Sequence, residues 1–217
     1  MKVCAVVFLA LFSISVFAQG EKAPIEEREI EYKNWVFRSV EDDKEIRLSD
    51  FLKGKKLVLV VYFAPWCPNW RYQAPFTQKM HEKYESKGFG VIGVGEYDSR
   101  KAIEENVKSL NLTFPVVYES DSREARQKTT HYEYRKKAGD KRNWGSPWNI
   151  FIDTANLKGD GEILVDRAYV VNGELIEEET EKFIQKKLGL SEESKLERGA
   201  KRIEACESDK VPVLRKP

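Results

Sequence analysis

Apolar positions along the chain change their period several times, and each change marks an element. Leu57 to Phe63 is an unbroken run of apolar, mostly β-branched and aromatic residues, which predicts a strand buried on both faces. After it the period lengthens. Phe76, Met80 and Tyr84 recur every four residues, the buried stripe of a helix predicted from Pro68 to Lys87. Pro68 suits the first helical position, Pro75 is expected to kink the helix, and Gly88 to stop it. The pattern then repeats with a strand over Phe89 to Val94, a helix striped by Ile103, Val107 and Leu110, and a short strand over Phe114 to Tyr118. A basic helical segment over residues 122 to 137, a strand over Trp148 to Ile152 and another over Glu162 to Val171, turning at Asn172-Gly173, come next. Ile176, Thr180, Ile184 and Leu188 stripe a closing helix that Gly189 ends. Upstream, Trp35 to Phe37 reads as a short strand and Leu48 to Leu52 as a brief helical segment. Strand–helix alternation with a late hairpin predicts an α/β domain of three layers, α/β/α.

The termini follow other rules. Lys2 precedes an almost wholly apolar stretch from Val3 to Phe17, and Val16-Phe17-Ala18 suits cleavage before Gln19, so residues 1–18 read as a signal peptide. Cys4 precedes the apolar run, which argues against a lipid-modified cysteine. An exported protein, periplasmic or extracellular and without stable membrane insertion after cleavage, is expected. Residues 19–33 are charged, carry Pro24 and read as a linker, leaving 34–190 as the folded domain and 191–217 as a charged tail. At 217 residues the chain is long enough to bury a core without disulfide staples. A net charge of +1 gives no pull toward nucleic acid or acidic lipid.

The candidate chemistry lies at the end of the apolar run. Cys67 stands in Ala64-Pro65-Trp66-Cys67-Pro68-Asn69-Trp70, between the strand and the helix start. There the unpaired backbone N–H groups and the positive end of the helix dipole favour a thiolate, and the setting argues for an exposed, reactive thiol. A second cysteine is expected three residues on, as in Cys-x-x-Cys, but Trp70 occupies that position. Cys206 is the other cysteine of the mature chain, and a bridge between the two remains open. His81 and His131 have no ligand-like neighbours, so no metal and no cofactor is expected.

These residues resemble the thioredoxin-like superfamily over positions 34 to 190, and in particular the exported TlpA-like thiol–disulfide oxidoreductases grouped with the AhpC/TSA redoxins. The resemblance rests on Ala64-Pro65-Trp66-Cys67-Pro68, on Pro75 eight residues past the cysteine, and on Gly145-Ser146-Pro147-Trp148-Asn149-Ile150-Phe151-Ile152-Asp153. It implies a thioredoxin fold with a central mixed sheet, Cys67 as the nucleophile, and a cis Pro147 whose segment faces Cys67 and Trp66. Trp66, Pro68, Ser146 and Pro147 would then shape the substrate groove. Where the family has a resolving cysteine this chain has Trp70, and the acids that members carry six residues before or after the first cysteine are Val61 and Gln73.

Without a resolving thiolate or a proton-handling acid, ordinary dithiol turnover lacks half its parts. A monothiol enzyme resolved by glutathione or a partner thiol is the leading reading, with Cys206 as a distant resolving cysteine on a second route. One alternative is a redox-inactive binding module that docks a partner through the groove and a basic face. Another is a one-cysteine peroxidase, weakened because Ala64 stands where that pattern has threonine. The partners expected are protein or small-molecule thiols and disulfides, not nucleic acid. The stretch from Arg123 to Arg142 is basic, with Tyr132, Tyr134 and Trp144 interleaved, and would lie near the active-site face as a docking surface or as a solvated helix face.

Overall fold

A computed structural model describes residues 21–159 and 161–191. The signal peptide, nearly all of the tail and Cys206 lie outside the described residues. The main sheet has eight strands, introduced here in chain order: β2 (Glu26–Lys33), β3 (Val36–Ser39), β4 (Glu45–Arg47), β5 (Leu57–Phe63), β6 (Phe89–Gly95), β7 (Val116–Tyr118), β8 (Trp148–Asp153) and β9 (Ile163–Val171). Their spatial order is β2-β9-β8-β5-β6-β7-β3-β4. β5 pairs parallel with β6 and antiparallel with β8, so the sheet is mixed and its centre is the apolar run. A separate parallel pair joins β1 (Lys22–Ala23) to β10 (Glu174–Leu175).

Alternation along β5 sorts the core into two layers. Leu57, Leu59, Val61 and Phe63 face one side, where they meet α2 (Pro68–Tyr84), α3 (Arg100–Ser109) and α5 (Glu177–Leu188). Val58, Val60 and Tyr62 face the other, with α1 (Leu48–Leu52) and α4 (Thr130–Lys137). This is the expected three-layer sandwich. Among the described residues no helix is long and apolar enough to cross a membrane.

Three expectations need correction, and one short strand is new. Residues 22–33 are not a linker, because β2 runs antiparallel to β9 along the rim of the sheet. Its charged residues point to solvent while Ile30 and Tyr32 are buried, and an edge strand of this kind looks like a charged spacer in composition alone. The pairing slips between Glu29 and Tyr32, where Glu31 takes a φ of 47°, a bulge. β4 was not foreseen, since three residues are too few to show a period. The long helix ends at Tyr84 and is followed by a single 3-10 turn, Glu85–Lys87, before left-handed Gly88. The basic segment is two pieces: a 3-10 helix Arg123–Lys128, then α4 capped by the Thr129 hydroxyl.

Candidate active site

β5 delivers the chain to Ala64, a tight turn follows with Cys67 N–H donating to the Ala64 carbonyl at 3.0 Å, and α2 begins at Pro68. Cys67 is the N-cap, extended at φ −74° and ψ 122°. Opposite lies the segment that starts β8. The β5–β8 register pairs Tyr62 with Trp148, which carried two residues further sets Ala64 against Ser146. The Ser146–Pro147 bond is cis, and both Ser146 oxygens face the cysteine loop. The hydroxyl accepts from Ala64 N–H at 2.9 Å and the carbonyl accepts from the Cys67 thiol at 3.1 Å. The structure thus brings together Trp66, Cys67, Pro68, Ser146 and Pro147, as the resemblance implies.

The thiol itself differs from expectation. Cys67 is only 6% exposed, and its sulfur makes no cap hydrogen bond to the first helical turn. Its proton goes to a carbonyl oxygen instead, because the cis-proline loop folds over it. A nucleophilic thiolate would have to give that contact up.

The vacant roles are filled structurally. Trp70 is fully buried and stacks on Phe63 with centroids 4.3 Å apart. Its indole N–H donates to Asn106 Oδ1 at 2.9 Å, and the Asn106 amide in turn donates to the Pro65 carbonyl at 3.2 Å. The residue at the resolving position therefore ties α2 and α3 to the cysteine loop. Gln73 exchanges two hydrogen bonds with Asn149, at 2.7 and 3.1 Å, and accepts from Leu175 N–H at 3.0 Å. It stitches α2 to β8 and β10 and can move no proton. Val61 is buried in the same layer.

Part of the basic stretch is a brace rather than a docking face. Arg135 is 2% exposed and pairs with the buried Asp140 at 3.3 Å. Arg142 pairs with Asp140 at 2.8 Å and with Glu21 at 2.9 Å, and donates to the Pro147 carbonyl at 2.9 Å. Arg135 also donates to the Arg142 carbonyl at 3.0 Å. Gly145, at φ +59°, sits so close that a Cβ there would collide with the Arg135 guanidinium. These contacts hold the Gly145-Ser146-Pro147 loop from behind. Arg123 and Arg126 behave differently: they lie over Trp66 and Trp144.

A buried acid escaped the sequence reading. Glu96 directly follows β6, with its N–H on the Phe63 carbonyl at 2.8 Å, and its carboxyl takes the Ser120 hydroxyl. Burial, then the neighbouring Glu119, push it well above the usual carboxylate range. The available signal was an acid closing an apolar strand. Glu96 shares the parity of Ile92 and Val94, on the α4 side of the sheet, so it does not replace the acid missing from α2. Beside it His131 bonds Tyr97 at 2.9 Å through Nδ1 and stacks on Tyr62. Burial, then Arg135 and Arg142, hold His131 well below the ordinary imidazole range. Both histidines are buried packing residues, and among the described residues no cluster of His, Cys, Asp or Glu could hold a metal.

A mixed sheet between helices, with a cysteine at a helix start facing a cis-proline loop, defines the thioredoxin-like class. The chain belongs to the AhpC/TSA family, whose model matches residues 21–155, and is a TlpA-like redoxin. It is similar to the thiol-disulfide oxidoreductase ResA of Bacillus cereus, 30% identical over 120 residues that make up 55% of this chain and 65% of that protein. ResA of Bacillus subtilis is 32% identical over 78 residues, 36% of this chain and 42% of its own. The chain thus spans less than two thirds of these relatives' length. Two solved structures show the fold. A thioredoxin-family thiol:disulfide interchange protein from Chlorobium tepidum TLS has a TM-score of 0.53 at 20% identity, covering 79% of this chain and 99% of its own. A DsbF homologue from Corynebacterium diphtheriae has a TM-score of 0.52 at 20% identity, covering 76% and 87%.

Proposed function

We propose that this is an exported monothiol exchange protein in which Cys67 is the nucleophile, with its leader removed near Ala18. The observation that carries the reading is the Cys67 thiol set 3.1 Å from the carbonyl that precedes the cis-proline, while Trp70 fills the place of a resolving thiol. In the proposed reaction Cys67, as thiolate, attacks one sulfur of a disulfide. That S–S bond breaks, a mixed disulfide forms on Cys67, and the other sulfur leaves as a thiolate and takes up a proton. A second thiol, supplied by glutathione or a partner protein, then attacks the mixed disulfide and frees Cys67. Trp66, Pro68, Ser146 and Pro147 shape the groove, and the substrates are protein or small-molecule thiols and disulfides. Cys206 is the other candidate for the resolving role. Ala64 has no hydroxyl to offer a peroxide, which favours disulfide exchange over a one-cysteine peroxidase.

The burial of Cys67 favours a second reading, a binding module that docks a partner without turnover. Incubation with glutathione disulfide separates the two, followed by intact mass under non-reducing conditions and by alkylation rate against pH, in wild type and in Cys206→Ser. The exchange reading expects a glutathione adduct on Cys67 in both proteins. No adduct on Cys67, with alkylation no faster than a free cysteine peptide, defeats it. Loss of two mass units in the untreated wild type alone would place Cys206 as the resolving partner.

A further inference from the structure

The surroundings of Cys67 carry information about what it would exchange with. Trp66 precedes the cysteine, and the Arg123 guanidinium carbon lies 4.5 Å from its ring centroid. Trp144 meets Trp66 edge-on at 5.1 Å, and Arg126 lies 4.8 Å over Trp144. Two guanidinium groups therefore rest on a pair of indoles beside the thiol. A stacked guanidinium keeps its N–H edge free for a carboxylate, and the stack restricts it in advance of binding. The Arg123 side chain enters no hydrogen bond or ion pair among the described residues, and Arg126 gives one nitrogen to Asn143 at 2.6 Å. Asp121 and Glu124 belong to the same segment, yet neither forms an ion pair with these arginines. Further along, Arg135, Arg142 and Lys137 do have acid partners.

The hollow beside Trp66 is lined by Arg71, Asp98 and Glu105, so the positive charge free for a partner is confined to the Arg123–Arg126 edge. The groove along Pro68, Asn69, Tyr72 and Phe76 is bordered by Lys22, Glu174 and Glu177. Arg123 and Arg126 stand three residues apart on the 3-10 helix Arg123–Lys128, one turn of such a helix, so both lie on one face. Two carboxylates of one polypeptide could therefore meet the two arginines together.

We infer that this face selects polypeptide partners whose cysteine is flanked by Asp or Glu. This rests on the exchange reading above and names the substrate class of the same site. The test uses three peptides that differ only in flanks, acidic, neutral or lysine, each carrying its cysteine as a 2-pyridyl disulfide. Attack by Cys67 forms the peptide adduct and releases 2-thiopyridone, which is followed by absorbance. In the mature chain Cys206→Ser leaves Cys67 as the sole thiol.

The acidic peptide is expected to react about tenfold faster than the lysine peptide at low ionic strength. The advantage shrinks with added salt. Arg123→Gln with Arg126→Gln brings the ratio to about one, whereas Lys182→Gln on distant α5 keeps it. Equal rates for the three peptides, or a ratio that survives the double substitution, overturns the inference. Release from no peptide at all defeats the exchange reading alone. Fluorescence anisotropy with S-methylated peptides, which cannot exchange, then decides: tighter binding of the acidic peptide upholds the surface, and equal binding overturns it.

Discussion

On the side of the sheet covered by α2, the positions nearest the thiol are neutral. Trp70 is stacked and hydrogen-bonded, Gln73 is spent on Asn149 and Leu175, and Val61 is plain core. On the side covered by α4, a few residues away through the sheet, lie the buried charges and titrating groups: Arg135, Asp140, Glu96 and His131. The α2 side holds the cysteine loop by packing and amide contacts. The α4 side holds the cis-proline loop by an ion-paired brace. Among the described residues, charge here serves the backbone that faces the thiol and not the thiol itself.

The comparison can be broken from either side. Trp70→Ala should cost about 4 kcal/mol of stability, the range for emptying a large buried aromatic site. Urea denaturation measures it, and a loss below about 1 kcal/mol would mean that the indole does not hold α2 to α3. Asp140→Ala leaves Arg135 and the partly covered Arg142 without their shared acid, at about 3 kcal/mol. It should also speed alkylation of Cys67, since the loop that covers the thiol loses its brace; unchanged alkylation would separate the brace from the site. Gln73→Ala, which strands Asn149 and one backbone N–H, is expected to cost about 1–2 kcal/mol without changing the alkylation rate.

The smallest effect is in pH dependence. Glu96 is raised in the folded state, so the folded protein binds the extra proton. Its contribution is complete below the ordinary carboxylate range and is lost as pH rises through the raised value. His131 is depressed, so its contribution is present above the ordinary imidazole range and lost as pH falls toward the lower value. The two slopes oppose each other in mildly acidic solution. Glu96→Gln should remove the first and leave stability rising more steeply with pH there, by at most about 1.4 kcal/mol per pH unit. An identical pH profile for the variant would show that Glu96 titrates normally.

Much of the frame was legible because it depends on neighbours in sequence. β5 is an apolar run, α2 a four-residue stripe, and Gly88 and Gly189 are the left-handed residues that end helices. The cis Ser146–Pro147 segment was legible through resemblance. The edge strand β2 was not, since a strand with one wet face and a bulge hides its alternation among glutamates. The brace was not either: Arg142 reaches Glu21 across 121 residues, and no local pattern encodes that contact. The burial of Cys67 depends on a carbonyl 79 residues away, so an exposed helix-start thiol was the natural reading.

The charged rim has a consequence of its own. Open sheets invite a second copy to add itself edge to edge, and among the described residues the outermost strands are β2 and β4. β2 carries Glu26, Glu27, Glu29 and Glu31 against Arg28 and Lys33, so an antiparallel copy laid along it would set two strands of net negative charge together, and like charges placed opposite one another repel. The bulge at Glu31 breaks the straight run of N–H and C=O groups that such a copy would need. The segment that resembles a spacer in composition thus guards the sheet against self-templating at high concentration.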